Sequence, residues 1–106
     1  MKELVKLVVF VPGANADQIR EALGSAGAGQ IGEYAFCSYS VQGVGRFVPS
    51  ANANPHIGSA NQPEAVDEER IEVTCQRDQA AKVVALIKDV HPYEEVVVDV
   101  YPLLNL

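Results

Sequence analysis

The sequence predicts an α+β domain in which four strands and two helices follow the order β-α-β-β-α-β. Residues 3–11 and 96–101 are rich in valine and other β-branched residues, as strands are. Residues 33–42 and 68–75 also read as strands. Two segments have apolar residues at helical spacing, one before residues 33–42 and the other after residues 68–75. This order is typical of the ferredoxin-like fold, a four-stranded antiparallel sheet with two helices on one face.

The first helix is predicted after Pro12-Gly13, which ends the first strand. Asn15 or Asp17 can cap it. Its apolar face is formed by Ile19, Ala22, Leu23 and Ala26. Gly27 follows as a C′ residue, the position after a helix where glycine is favoured. Gly27 to Gly32 also match G-x-G-x-x-G, but a dinucleotide site needs a strand before and a helix after this motif, so a helix end and tight turn are expected.

The second half of the chain begins with a predicted long loop over residues 43–67, which are rich in glycine, proline and asparagine. Loops of this length in compact domains are usually functional or disordered. Asp78 can cap the second helix, whose apolar stripe is formed by Val83, Leu86, Ile87 and Val90. Pro102 ends the fourth strand.

Composition restricts the possible functions. The 106 residues make one domain, residues 1–106, with a net charge of −6. The eight basic residues are scattered, so no nucleic-acid partner is expected. No apolar run reaches the ~20 residues that span a bilayer, and residues 1–6 do not resemble a signal peptide. We therefore expect a cytoplasmic protein without a membrane partner.

The first and last strands are apolar on both faces. Leu4, Val8 and Phe10 alternate with Val5, Leu7, Val9 and Val11 in the first strand. Two helices cover only one face of a sheet, so an apolar face is left over. Self-association as a closed ring would cover it. The alternative is that the long loop folds back over that face.

The segment from His91 to Glu95 holds an imidazole, a phenol and two carboxylates. His91, Tyr93 and Glu94 are candidates for binding a small polar ligand or a divalent metal. Strand alternation would separate Glu94 from Glu95. The structural alternative is that His91 caps the second helix and Tyr93 packs at a subunit edge. An enzyme using His91 as general base, oriented by Glu94 or Glu95, is a further alternative without a recognisable nucleophile.

The predicted loop and the two cysteines supply further candidates. Arg46 and Phe47 suit an anionic ligand with an apolar part, and His56 lies in the same loop. If the second and third strands pair symmetrically about residue 56, Cys37 lies opposite Cys75, and the two thiols could form a soft-metal or redox pair. Cys37 and Cys75 are therefore candidate metal ligands, as are His91 and Glu94. The alternative is that both cysteines are small buried hydrophobic residues.

Several motifs, taken in order, resemble one family. They are VVFVP at residues 8–12, AGAGQIGEY at 26–34, GVGRFVP at 43–49, NPHIG at 54–58, EAVDEERIE at 64–72 and HPYEE at 91–95. Together they resemble the CutA/PII-like domain inserted in Nif-three-like proteins, the GTP cyclohydrolase type-two homologues. The histidine-proline-tyrosine-glutamate step is also similar to a turn of CutA divalent-cation-tolerance proteins.

This resemblance implies a ferredoxin-like subunit that forms a homotrimer. It places the loop over 43–67 where PII proteins carry their ligand-responsive loop. It does not transfer the parent proteins' dinuclear metal site, because that site belongs to flanking domains. We therefore expect a non-enzymatic domain that binds a small ligand or metal, or regulates a partner. The ligand is expected in the cleft between subunits, below the 43–67 loop and near His91 and Glu94; a purely structural assembly module is the alternative.

Overall fold

The computed structural model describes residues 3–106, and its elements follow the predicted order. They are β1 (Leu4–Pro12), α1 (Gly13–Ser25), β2 (Tyr39–Phe47), β3 (Glu64–Gln76), α2 (Arg77–Val90) and β4 (Val98–Pro102). The strands form one antiparallel sheet in the order β2-β3-β1-β4. The α+β, ferredoxin-like prediction is confirmed. Across residues 3–106, neither helix combines the length and the apolar character that crossing a bilayer requires.

The core lies between the helices and one face of the sheet. Val5, Leu7, Val9 and Val11 of β1 pack there with residues of β3, α1 and α2. Side chains alternate across a strand, so Leu4, Val8 and Phe10 lie on the opposite face, which we call the open face. Val8 is fully buried, yet Tyr39 and Val97 on this side remain 67% and 60% exposed. Strand β1 is therefore apolar on both faces, as the sequence indicated.

Both predicted helix caps are wrong. Helix α1 begins at Gly13, directly after Pro12, and has no side-chain cap. Asp17 forms an ion pair with Arg20 one turn later instead. Helix α2 begins at Arg77, so Asp78 lies in its first turn, where its charge still favours the helix dipole.

The end of α1 is as predicted. Gly27 has φ +91°. Its amide donates to Gly24 O at 3.0 Å, and the amide of Ala28 donates to Leu23 O at 3.0 Å. This pair of bonds is the Schellman motif, which needs a left-handed residue at C′ and therefore favours glycine. The G-x-G-x-x-G stretch is thus a helix end and turn.

The second strand is displaced from its predicted range of 33–42. Gly29 and Gly32 have positive φ, and Ile31 and Tyr34 form an isolated bridge, so a compact turn occupies the first part of that range. Phe36, at φ +58°, also departs from strand geometry. Strand β2 therefore starts only at Tyr39 and continues through the glycines assigned to the loop.

The third strand is longer than predicted and pairs in a different register. It starts at Glu64, so the connection between β2 and β3 shrinks from 43–67 to 48–63. Tyr39 pairs with Glu72 and Phe47 with Glu64. The pairing is thus offset by one residue from symmetry about residue 56. Strand β4 starts at Val98, two residues later than predicted, which leaves residues 91–97 as an irregular connector.

Candidate functional site

A cavity of about 830 Å³ lies on the open face of the sheet. Strands β2 and β3 form its floor, the 48–63 segment covers it, and the 91–97 connector closes one side. Its lining is mainly apolar and includes Phe10, Val41, Phe47, Ile57 and Val97. Concave, mainly apolar sites with a few polar groups are typical of small-molecule binding.

The most buried polar residue at the floor of this cavity is Glu68, which is only 8% exposed; Arg46 and Arg70 of the same two strands also line it. Tyr93 donates its hydroxyl hydrogen to Glu68 Oε2 at 2.6 Å. Burial, followed by this hydrogen bond to the carboxylate, raises the pKa of Tyr93 well above that of an ordinary tyrosine. The phenol therefore remains a donor at physiological pH.

Glycine in β2 makes room for this carboxylate. A Cβ atom added to Gly45 would collide with Glu68 Oε1 and would lie 2.7 Å from Cδ. A Cβ atom added to Gly43 would meet nothing within 4 Å. The strand therefore tolerates a glycine at 45 because another side chain lies against its backbone.

His91 supports the site from behind. Its backbone amide donates to Ile87 O at 2.9 Å, so it does end α2. Its ring, however, lies 2.7 Å from Phe10 O through Nε2, while Nδ1 accepts the Tyr93 amide hydrogen at 3.1 Å. A single tautomer, protonated at Nε2, satisfies both contacts. His91 is 7% exposed and fixes the connector to β1.

Glu94 joins the connector to the covering segment. Its Oε2 accepts the Asn54 amide hydrogen at 2.6 Å. The His56 ring lies 6.3 Å from the Tyr93 ring, measured between centroids. Glu94 and Glu95 both line the cavity. The expectation that strand alternation separates these two carboxylates is wrong, because residues 91–97 are not a strand.

Five of the six predicted ligand-binding residues line this one cavity: Arg46, Phe47, His56, Tyr93 and Glu94. The sixth, His91, lies behind Tyr93. Glu68 was not among the predicted site residues, because it stands in the acidic stretch 64–72, whose charges are typical of a solvent-exposed face. The sequence held a partial sign, because strand alternation puts Glu68 on the face opposite to that of Ile71, which is buried. The bond to Tyr93 joins residues 25 positions apart and had no local sign.

The candidate metal ligands lie in different parts of the fold. Cys75 is buried in the helix-side core opposite Val5. Cys37 precedes β2, where its amide donates to Gly29 O at 2.8 Å. The predicted pairing of Cys37 with Cys75 across β2 and β3 is therefore wrong, because the register is offset and β2 starts later. Within residues 3–106, no three histidine, cysteine, aspartate or glutamate residues form a cluster suited to a metal ion.

Comparison with known proteins agrees with the resemblance noted above. No family model matches the chain. Over 104 residues it is 49% identical to the GTP cyclohydrolase 1 type 2 homolog of Halalkalibacterium halodurans, a match that covers 98% of this chain and 28% of that protein. A crystal structure of a Bacillus cereus protein related to NIF3 is 45% identical, with a TM-score of 0.85, and the match covers 98% of this chain and 26% of that one. The chain thus spans about a quarter of the length of these relatives.

Two more distant structures show the same fold. CutA of Archaeoglobus fulgidus is 17% identical with a TM-score of 0.70, over 94% of this chain and 83% of that one. GlnK of Bacillus subtilis is 15% identical with a TM-score of 0.62, over 95% of this chain and 84% of that one. The fold is therefore that of the CutA and PII-like ferredoxin-like domains. Within that class, the chain is homologous to one segment of the NIF3-like GTP cyclohydrolase 1 type 2 homologs.

Proposed function

We propose that this domain binds a small ligand in the open-face cavity and acts as a non-enzymatic, oligomeric regulatory or binding module. The observation that carries the proposal is the cavity itself. It lies between the sheet, the covering segment and the connector of a single chain, and five of the six candidate ligand-binding residues line it. One hydrogen bond, from the Asn54 amide to Glu94, and a ring contact between His56 and Tyr93 join the covering segment to the connector, and ligand binding can strengthen or break these contacts.

Self-association, as a homotrimer, is part of the proposal. The open face retains exposed apolar side chains beyond the cavity, Tyr39 and Tyr101, and Val41 and Val97 of the cavity lining are also exposed. Contiguous exposed apolar surface of this kind favours an interface. The covering segment folds over part of the face only, which leaves the rest of the face for the proposed subunit interface.

The chemistry of His91 favours a binding role over catalysis. Both of its ring nitrogens are used within the fold, one by Phe10 O and one by the Tyr93 amide. A general base needs a free nitrogen within reach of the substrate. The two free thiols fit a reducing compartment, so we propose the cytoplasm as its location.

A thermal-shift screen of the whole chain with divalent metals, nucleotides and amines tests ligand binding, since a ligand at 100 times its Kd stabilises by about 2.7 kcal/mol. Gly43→Leu should remove the stabilisation, because it places a side chain in the open space above Gly43. Gln42→Leu, at the neighbouring exposed position of the same strand, is the matched control.

A ligand that still stabilises Gly43→Leu would place its site elsewhere. The absence of stabilisation by any compound would favour the structural assembly module. Light scattering at micromolar concentration tests the trimer, and a monomer would refute it.

A further inference from the structure

The open-face cavity contains an acid whose charge is not balanced by the fold. Glu68 is more than nine-tenths buried. Its only hydrogen-bonding side-chain partner in the described chain is the neutral phenol of Tyr93. The nearby Arg70 is committed elsewhere, because its guanidinium binds Glu72 Oε1 at 3.0 Å and lies 5.7 Å from the centroid of the Phe10 ring. A buried carboxylate without a cationic partner is costly.

One oxygen of this carboxylate remains available. Across residues 3–106, every fully buried side-chain nitrogen or oxygen of a non-exposed residue has a hydrogen-bond partner. Oε2 of Glu68 accepts from Tyr93, whereas Oε1 has no partner. Oε1 therefore keeps some accessible surface, and Glu68 lines the cavity with this oxygen lying against the uncovered backbone of Gly45.

The surrounding walls also suit a cation. Phe10, Phe47 and Tyr93 line the cavity with aromatic side chains. Its charged lining comprises three carboxylates, of Glu68, Glu94 and Glu95, and two guanidinium groups, of Arg46 and of Arg70, the latter paired with Glu72. A cation is attracted to aromatic faces. The guanidinium of Arg70 already lies over the ring of Phe10 on the open face, which is a cation–π contact of this kind.

We infer that Glu68 Oε1 binds the ammonium group of a small organic amine whose apolar, preferably aromatic, body fills the cavity. This inference rests on the proposed ligand-binding function and specifies the class of ligand. Glu68 supplies the counter-charge, Tyr93 holds the carboxylate in place, and the phenylalanines contact the apolar body. A lysine or arginine of a second copy of this chain could supply the same positive group, and the experiment separates the two sources.

Isothermal titration of the whole chain with phenethylamine, phenethyl alcohol and hydrocinnamate tests the inference without any substitution. These probes share an aromatic body and carry a positive, a neutral and a negative head group. We expect the amine to bind at least about tenfold more tightly than the alcohol, because bonds to charged groups are roughly twice as strong as neutral ones. Equal affinity for amine and alcohol, or a preference for the acid, would overturn the inference.

Glu68→Gln then tests the residue. Glutamine keeps an acceptor for Tyr93, so the fold should persist, while amine binding should weaken about tenfold and alcohol binding should not change. Asp67→Asn removes the same charge at the adjacent, exposed position of β3 and should leave both unchanged. Unchanged amine binding in Glu68→Gln overturns the inference.

The two proposals fail in distinguishable ways. If a compound of another class binds and Gly43→Leu abolishes its binding, the cavity is a ligand site but the amine class is wrong. If Glu68→Gln dissociates the oligomer in light scattering while amine binding is unchanged, a neighbouring subunit provides the positive group, and the inference of a small amine is likewise wrong.

Discussion

Replacing Gly45 with alanine tests the contact between β2 and Glu68 most directly. The added Cβ would collide with Glu68 Oε1 and would lie 2.7 Å from Cδ, so the carboxylate must turn away. Turning it breaks the 2.6 Å bond from Tyr93 and leaves the phenol without its charged acceptor. Loss of a hydrogen bond to a charged group costs about 1.5–3 kcal/mol.

Gly43→Ala is the matched control for this change. It lies in the same strand, and its Cβ would meet nothing within 4 Å. Both substitutions reduce the entropy of the unfolded chain, a gain of about 0.4–1 kcal/mol that cancels in the comparison. We therefore expect Gly45→Ala to be less stable than Gly43→Ala by about 1.5–3 kcal/mol.

Urea unfolding of both variants at one protein concentration measures this difference. Thermal unfolding should show a Tm lower by roughly 6 °C or more, given about 4 °C per kcal/mol for a domain of this size. The two variants must be compared at equal concentration because assembly makes Tm depend on it. If Gly45→Ala equals or exceeds Gly43→Ala in stability, the carboxylate does not depend on the missing side chain and the reasoning is wrong.

Three further predictions concern the connector and the thiols. His91→Ala should lower the free energy of unfolding by about 2–4 kcal/mol in urea, because it leaves a β1 carbonyl and a connector amide unpaired. The control His56→Ala, at an exposed position, should change it by less than about 0.5 kcal/mol. Equal losses in the two variants would contradict the role of His91 in fixing the connector to β1. Because the pKa of Tyr93 is raised by folding, the phenol loses its proton at lower pH in the unfolded chain than in the folded one. Its contribution to the free energy of unfolding is therefore complete below about pH 10 and declines as pH rises further. The stability lost in Tyr93→Phe should shrink above pH 10, and a loss that does not change with pH would refute this. Under native conditions a thiol reagent should label Cys37 quickly and Cys75 only on unfolding, because Cys75 is buried and burial raises the pKa of its thiol. Labelling of both cysteines at the same rate would contradict the position of Cys75 in the core.

The element order and the helix-side core could be predicted because they depend on local periodicity. Valine alternation in β1 and apolar residues at helical spacing in α1 and α2 persist in any compact arrangement. The C′ role of Gly27 was likewise readable, because a left-handed position strongly favours glycine. Each of these features involves residues close together in the chain.

The predicted boundaries of β2 were wrong because they depend on residues that are distant in the chain. Its glycines look like loop residues when considered alone, and only the side chain of Glu68, which lies across the strand, explains them. The observed register between β2 and β3 differs by one residue from the predicted one, so Cys37 does not lie opposite Cys75. Strand ends and register of this kind depend on contacts with residues distant in the chain, which local strand propensity does not reflect.

The candidate site divides in the same way. The sequence by itself determined that the domain has four strands and two helices, that β1 is apolar on both faces, and that polar groups gather in the connector and the covering segment. Only the tertiary structure decided that these groups enclose one cavity and that Glu68 is buried at its floor with a single neutral partner. The physical reason is that a charge acquires its chemical character from burial and from neighbours distant in the chain, and both arise only when the strands pair.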